Sequence, residues 1–393
     1  MPMGATIGQR LQDVRKRRGL SQRELAAASG VSLSLIRKLE QGERNDTRLE
    51  TARQLAVALG VTTSCLLAEP EARGEPPAGD RWEPVRQALA AGTLPPGPEE
   101  PPTVAGVLGT LDAAVPLFSG DRYAELSTLL PPLIRDAEAL AAAGPEGRAV
   151  RARVLQLTGW LLTQTRQFAA AHSALDRSLD DAPDQLHGAA TVSTQCWLLL
   201  RQGRLATARE LAAEWADEVE PRMSRASVAE LSAWGWLLLR LSAASIRDNR
   251  PGEAEDSMRL AHAAAVAMGR EFAPDRDFLR AFGPVTVVLK RAENAMIADR
   301  PDVVLQLAER VPVGGMRPTS NNRNRHLLDV AEAHVRSRQY AEAVDVLQGI
   351  RTAAPQWLPN QRYAHDILGR VISRRRTLTP GIRSLADAIG VPM

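Results

Sequence analysis

The sequence predicts an all-α protein in two parts. A five-helix unit occupies residues 1–68 and an α-hairpin solenoid occupies 103–393, with a proline-rich linker carrying one short helix (69–102) between them. Three observations carry this prediction. Paired capping residues and glycine stops punctuate the first 67 residues at helical spacing. Further on, a pattern of small residue, aromatic or leucine turn residue, and alanine recurs along the chain. No stretch shows the period-two alternation of a convincing strand.

The N-terminal elements follow from their punctuation. Thr6 with Gln9, and Ser21 with Glu24, each fit the capping box, in which a hydroxyl and an amide or acid satisfy orphan backbone amides reciprocally. Ile7, Leu11 and Val14 form one apolar stripe of a first helix, which Gly19 closes. A second helix runs from Ser21 to about Ser29 and buries Leu25 and Ala26. Gly30 and Val31 make a tight turn, and Ser32 caps a third helix that ends at Gly42 and buries Ile36 and Leu39. Ala52, Leu55, Ala56 and Leu59 mark a fourth helix, and Thr62 caps a short fifth with Leu66 and Leu67.

This segment resembles the helix-turn-helix of the lambdoid phage repressors and the xenobiotic-response-element-like regulators. The resemblance rests on Leu20-Ser21-Gln22, Glu24-Leu25-Ala26, Gly30-Val31-Ser32, Ile36, Leu39-Glu40, Gly42, Leu55-Ala56 and Leu59-Gly60-Val61, over roughly the first 67 residues. It implies a lambda-repressor-like DNA-binding domain with Ser32–Gln41 as recognition helix. Leu33, Ser34 and Lys38 then stand where the family reads base edges, and Gln22 where it clamps a phosphate. The chemistry agrees in part: lysine can donate to guanine, serine to several edges, and leucine can meet a thymine methyl. The family often has Gln or Asn at such positions, and their absence here leaves the operator sequence open. Arg44, Asn45 and Arg48, just past the recognition helix, suit the phosphate backbone.

Charge supports a nucleic-acid partner. Residues 1–67 hold 11 Lys and Arg against 6 Asp and Glu, whereas the whole chain carries only +3. A cationic head on a near-neutral body is the footprint of a nucleic-acid module. Arg15–Arg18 also read as the solvated, dipole-compatible end of the first helix. Only three lysines occur (Lys16, Lys38 and Lys290), so arginine supplies the positive charge, as in a GC-rich genome. Cys65 and Cys196 lie far apart without metal-ligand spacing and read as small buried hydrophobes. The N-terminus lacks the apolar run of a signal peptide and no stretch of about 18 apolar residues occurs. The expectation is a cytoplasmic protein without a membrane partner.

Residues 68–102 are rich in proline and acid, the composition of a semi-stiff tether. A short helix over about Trp82–Ala91 interrupts it, and Trp82 should dock on something. Three copies of the recurring pattern can then be aligned. Leu155, Gly159, Leu162, Phe168, Ala171, Leu175 and Pro183 form the first; Val192, Cys196, Leu199, Gly203, Leu205, Ala208 and Ala212 the second; Leu327, Ala331, His334, Tyr340, Ala343, Leu347 and Pro355 the third. Weaker copies fall at Leu238–Ala261 and Val288–Ala308, with flanking pairs at 103–142 and 358–390. The copies resemble tetratricopeptide repeats, although the intervals between the turn residues Phe168, Leu205, Pro251, Pro301 and Tyr340 are longer and less regular than that repeat's.

By register, Gln156, Trp160, Gln164, Ser193, Trp197 and Arg201 face the concave side, where solenoids bind extended ligands. The two tryptophans read either as one wall of that groove or as core. The run Ser320–His326 reads as a polar helix entry. The six histidines show no metal spacing, and no phosphate loop, nucleophile elbow or paired carboxylates occur, so neither an enzyme nor a cofactor is expected. Domain order and helix pairing are similar to the peptide-sensing quorum regulators of Gram-positive bacteria. The expected protein is a bacterial transcriptional regulator that binds double-stranded DNA as a homodimer and senses a peptide or small-molecule effector. The other reading has the solenoid dock a partner protein.

Overall fold

Helices form where the capping residues and apolar stripes placed them. The computed structural model describes residues 6–44, 47, 49–61, 63–66, 80–91, 101–272, 281–311, 320–374 and 378–391. The head consists of α1 (Ile7–Arg17), α2 (Gln22–Ser29), α3 (Leu33–Glu40), α4 (Leu49–Leu59) and α5 (Thr63–Leu66). Both capping boxes form: the Thr6 and Ser21 hydroxyls accept from the Gln9 and Glu24 amides, whose side chains accept in return from the Thr6 and Ser21 amides. Ile7, Leu11, Val14, Leu25, Ile36, Leu39, Leu55 and Leu59 close one separate core. Asn45, Arg48, Thr62 and Leu67 lie outside the described residues, as does the Cys65 side chain.

The body is a succession of α-hairpins. After the short α6 (Glu83–Ala90) come α7 (Val104–Ser119) with α8 (Tyr123–Ala143), α9 (Pro145–Gln164) with α10 (Phe168–Asp180), and α11 (Gln185–Gln202) with α12 (Leu205–Glu218). Then follow α13 (Val228–Arg247) with α14 (Pro251–Met268), α15 (Pro284–Ile297) with α16 (Pro301–Ala308), α17 (Ser320–Arg336) with α18 (Tyr340–Ala353), and finally α19 (Arg362–Ser373) and α20 (Pro380–Ile389). Each of the five turn residues read from the sequence opens the second helix of a pair. Small residues sit where helices cross: a Cβ on Gly159 of α9 would stand 2.5 Å from Cγ of Leu175 on α10. The only β pairing among the described residues is one antiparallel bridge, Phe272 to Phe282.

One turn geometry recurs six times. Asp121, Arg166, Gly203, Asn249, Asp299 and Arg338 each adopt positive φ two residues before the outer helix begins. The next residue's amide then donates to a carbonyl five positions back, as in Gln167 to Leu162 (2.8 Å), Arg204 to Leu199 (2.9 Å) and Gln339 to His334 (2.8 Å). This closes the inner helix with a Schellman-type bond and satisfies one of its orphan carbonyls. The identical turn gives each hairpin the same hand, so the inner helices α9, α11, α13, α15 and α17 follow one another around the interior.

Two contacts tie the N-terminal parts to this scaffold. Trp82 is buried and meets the Tyr123 ring edge-on at 6.1 Å, and α6 packs on α8. The head is anchored as well as tethered, unlike the free tether that composition suggests. Nε of Arg53 donates to the Ile246 carbonyl (3.1 Å) and Oγ1 of Thr63 to that of Arg247 (2.6 Å). Both acceptors end α13, where carbonyls lack intrahelical partners and take any donor that approaches.

Candidate nucleic-acid interface and the interior polar cluster

The turn between α2 and α3 is made by Gly30 at φ +69° and buried Val31, after which the Ser32 hydroxyl accepts from the Leu35 amide. α3 buries Ile36 and Leu39 and exposes Ser34, Arg37 and Lys38, with Leu33 half-buried. Ser34 and Lys38, four residues apart, lie on one outward face. α1 seats directly on the end of α3, because a Cβ on Gly8 would stand 1.8 Å from the Leu39 carbonyl oxygen.

A buried ion pair locks this arrangement. Arg15 grips Glu40 with two bonds of 2.7 Å and donates to the Leu20 carbonyl at 2.8 Å, tying α1, the α1–α2 loop and α3 together. Burial pushes the Glu40 carboxyl up, but the Arg15 guanidinium and the Gln22 amide more than offset it and hold it below its ordinary value. The bond to Arg15's partner raises the guanidinium correspondingly. Sequence reading had counted Arg15 among surface cations; the signal available was Glu40 at a helix position otherwise facing the core.

Of the residues expected to hold phosphate, Gln22 is half-buried and its amide donates to Glu40 Oε2 at 2.8 Å. Its place in the structure is therefore the brace behind α3. Arg44 is exposed directly after α3, with its backbone amide bonded to the Lys38 carbonyl (3.0 Å).

The six residues assigned to the concave side do come together, but inside the body. Gln156, Trp160, Gln164, Ser193 and Trp197 are at most 6% exposed, and Arg201 is half-buried. The Trp160 and Trp197 rings stand 6.5 Å apart and Phe118 lies 6.1 Å from Trp160. Gln156 donates to Thr194 Oγ1 (3.4 Å), and Arg240 donates to the Ser193 carbonyl (3.0 Å). The guanidiniums of Arg201, Arg240 and Arg325 lie 5.6, 5.9 and 5.6 Å from the Trp197 ring centre. Burial pushes all three guanidiniums down, Arg240 to about 10.

Sequence reading missed Arg240, Lys290, Glu293 and Arg325. Lys290 bonds Glu293 at 2.8 Å, and Arg247 pairs with the same carboxylate. For Arg240, Lys290 and Glu293 the signal was a charge inside an apolar helix, as in the run Trp236-Leu237-Leu238-Leu239-Arg240; Arg325 stands in a polar run and gives no such signal. The run from Ser320 does open α17, yet Asn321, Asn322, Asn324 and His326 are buried rather than solvated, because α17 is an inner helix. Burial lowers His326 to about 4. Cys196 is buried and its thiol is pushed up to about 12. Among the described residues, no three His, Cys, Asp or Glu could hold a metal ion, and no helix is long and apolar enough to cross a membrane.

Comparison with known proteins bears on the head alone. The helix-turn-helix family profile HTH_3 matches residues 11–64. The HTH-type transcriptional regulator PuuR of Escherichia coli (strain K12) is 36% identical over 73 residues, which are 19% of this chain and 39% of that protein. The HTH-type transcriptional regulator DdrOP3 of Deinococcus deserti is 37% identical over 71 residues, 18% of this chain and 54% of that protein. The uncharacterized HTH-type transcriptional regulator y4dJ of Sinorhizobium fredii is 40% identical over 62 residues, 16% of this chain and 79% of that protein. The chain thus spans well under two thirds of PuuR and DdrOP3 but most of y4dJ. With α2, α3 and their turn in the arrangement described above, the chain belongs to the family of HTH-type, DNA-binding transcriptional regulators.

Proposed function

We propose that the chain is a sequence-specific transcriptional regulator that reads DNA through α3 and is controlled by a signal received in the helical body. The observation that carries this is the outward face of α3, where Ser34 and Lys38 are exposed while the Arg15–Glu40–Gln22 brace holds the helix from behind. Lys38, Ser34 and Leu33 contact base edges; Arg44, with Asn45 and Arg48, neutralises phosphates. The test is genome-wide occupancy and operator binding of the intact protein against Lys38→Ala. Discrete sites lost in the variant support the reading, whereas equal loss of specific and nonspecific affinity removes α3 as the reader.

In this reading the body is a tetratricopeptide-like sensor. The support is the chain of contacts from its interior to the head: Glu293 pairs with Arg247, and the Arg247 carbonyl holds Thr63. A ligand that redistributes charge around Glu293 shifts α13 and with it the seat of the head, to the extent that it binds the two arrangements differently. The same reading makes the protein a homodimer in the cytoplasm, with recognition helices about 34 Å apart. Among the described residues, exposed large apolar side chains are few, and two of them, Leu260 and Val266, sit on α14 beside exposed Ala263 and Ala267. That face suits a two-fold contact. Val266→Asp should yield a monomer in sedimentation; an unchanged dimer moves the contact elsewhere. Copurification of a stoichiometric foreign protein would favour a docking scaffold instead.

A further inference from the structure

We propose that the arginine–tryptophan cluster inside the solenoid binds a small aromatic anion, a planar apolar ring carrying a carboxylate or comparable group. The proposal rests on the sensory role given to the body above and names the class of molecule sensed.

Charge comes first. Arg201, Arg240 and Arg325 surround the single indole of Trp197 at 5.6–5.9 Å. An indole has two faces, so at least two of these cations share one. Neither Arg201 nor Arg325 reaches a carboxylate among the described residues. The carboxylate of Glu293 is already held by Lys290 and Arg247. Asp329 is driven toward its neutral form by burial and by Glu293. Burial depresses both guanidiniums; Arg325 lowers Arg201 further, while the fields of Glu293 and Asp329 only partly offset the fall of Arg325. Arg201 and Arg325 are half-buried, and cations partly withdrawn from water without a carboxylate partner are costly; an anion with two acceptor oxygens matches the guanidinium fork.

Unmade hydrogen bonds point the same way. Gln164 is fully buried, yet neither atom of its amide group is bonded. Asn324, at 1% exposure, is in the same condition, and Asn321 leaves its carbonyl oxygen unbonded. Gln164 lies one turn beyond Trp160 on α9, and Asn321 one turn before Arg325 on α17, so both share faces with the cluster. Buried amides in native proteins are almost always satisfied, and such exceptions mark where water or ligand belongs. The paired rings of Trp160 and Trp197 supply an apolar wall suited to a flat ligand.

Size and access favour a small molecule over an extended chain. Gln156, Trp160, Gln164 and Trp197 are at most 6% exposed, so these side chains do not line an open groove. A cleft of about 670 Å³ opens nearby, lined by Trp82, Tyr123, Thr165, Gln167, Gln356 and Asn360 among others. Thr165 adjoins Gln164 in the chain, and Tyr123 lies within electrostatic reach of Arg201 and Arg325. Thr165 and Tyr123 thus link the cleft to the cluster, although its lining includes none of the cluster's own side chains; its volume is that of a small-molecule site.

The test is calorimetric titration of the full chain with N-acetyltryptophan, its neutral amide, inorganic phosphate, and a hexapeptide ending in tryptophan. The expected result is saturable binding of N-acetyltryptophan at least tenfold tighter than the amide or phosphate, and tighter than the hexapeptide. Arg325→Gln and Arg201→Gln should each weaken it about tenfold, while Arg323→Gln, exposed on the same helix, leaves it unchanged. Should a cluster variant lose its fold, the comparison of ligands on the unaltered protein decides. Equal binding of acid and amide overturns the proposal, and so does no binding, which means the amides are merely hydrated. Tighter hexapeptide binding overturns the small-ligand assignment. DNA affinity is measured in parallel. Acid binding without change in DNA affinity upholds the site and removes the sensory role; no acid binding in a protein that still binds DNA removes the site alone.

Discussion

Arg15 in the head and Arg201 in the body are the same residue put to opposite uses. Arg15 spends its donors on a nearly sealed Glu40 and the Leu20 carbonyl, and its charge is stabilised. Arg201 leans on Trp197, faces Arg325, meets no carboxylate among the described residues, and is driven well down by burial. A buried charge with a complete set of partners fixes geometry; one without them leaves a demand that the fold itself does not meet. The head closes its charges behind α3, whereas the body keeps guanidiniums and amides that its own residues leave unmet.

The comparison can be broken first at Glu40. Glu40→Ala strands Arg15 and should cost about 3–5 kcal/mol, the usual penalty for breaking a buried pair. Hydrogen exchange would show the head amides deprotected while those of α9–α14 stay slow; uniform protection would mean that the brace is dispensable. Next, Lys38→Ala should cost about 1–3 kcal/mol at specific sites with little effect on nonspecific binding, measured by titration at fixed salt. Gln22→Ala, by contrast, should now lower the melting temperature of the head as well as DNA affinity, since its amide serves Glu40. A pure affinity effect would return Gln22 to the phosphate role.

Smaller effects sharpen the picture of the body and of the ion pair. Gly203→Ala forces a side chain into a left-handed turn and should cost about 1–2 kcal/mol. Arg338→Gly relieves the same strain and should be neutral or gain up to about 1 kcal/mol, part of the relief being lost to unfolded-state entropy. Both are read from urea unfolding midpoints. Finally, Glu40 titrates below its ordinary 4.5 in the folded head. Its contribution is fully present above that value and is lost as pH falls through the depressed one. Head stability should therefore drop below about pH 4.5, and Glu40→Gln should flatten that drop.

Legibility differed between the parts for a physical reason. In the head, Thr6, Ser21 and Ser32 act on amides three residues away, so local sequence is sufficient to place helix starts. In the body, Phe168, Leu205, Pro251, Pro301 and Tyr340 opened outer helices as read, but of the turn residues before them only Gly203 announced itself. Arg166, Gly203, Asn249, Asp299 and Arg338 share a backbone conformation without sharing chemistry, because the hairpin packing imposes the left-handed angle. The Ser320–His326 run misled for a related reason: polarity predicts exposure only if the helix lies outside, and α17 lies inside.

By itself, the sequence determined the all-α class, the five head helices, the residues that open five outer helices, and the family of the head. All of these depend on contacts within a turn or two of helix, where spacing and side-chain type are enough. Only the tertiary structure decided that Arg15 is a brace rather than a surface cation, that Gln22 serves Glu40, that the head rests on the end of α13, and that Arg201, Arg240 and Arg325 converge on one tryptophan. These last residues come from α11, α13 and α17. Nothing in the local sequence of any one helix records where the others will lie; the repeated turn, by curling the inner helices around a common interior, brings their charges together.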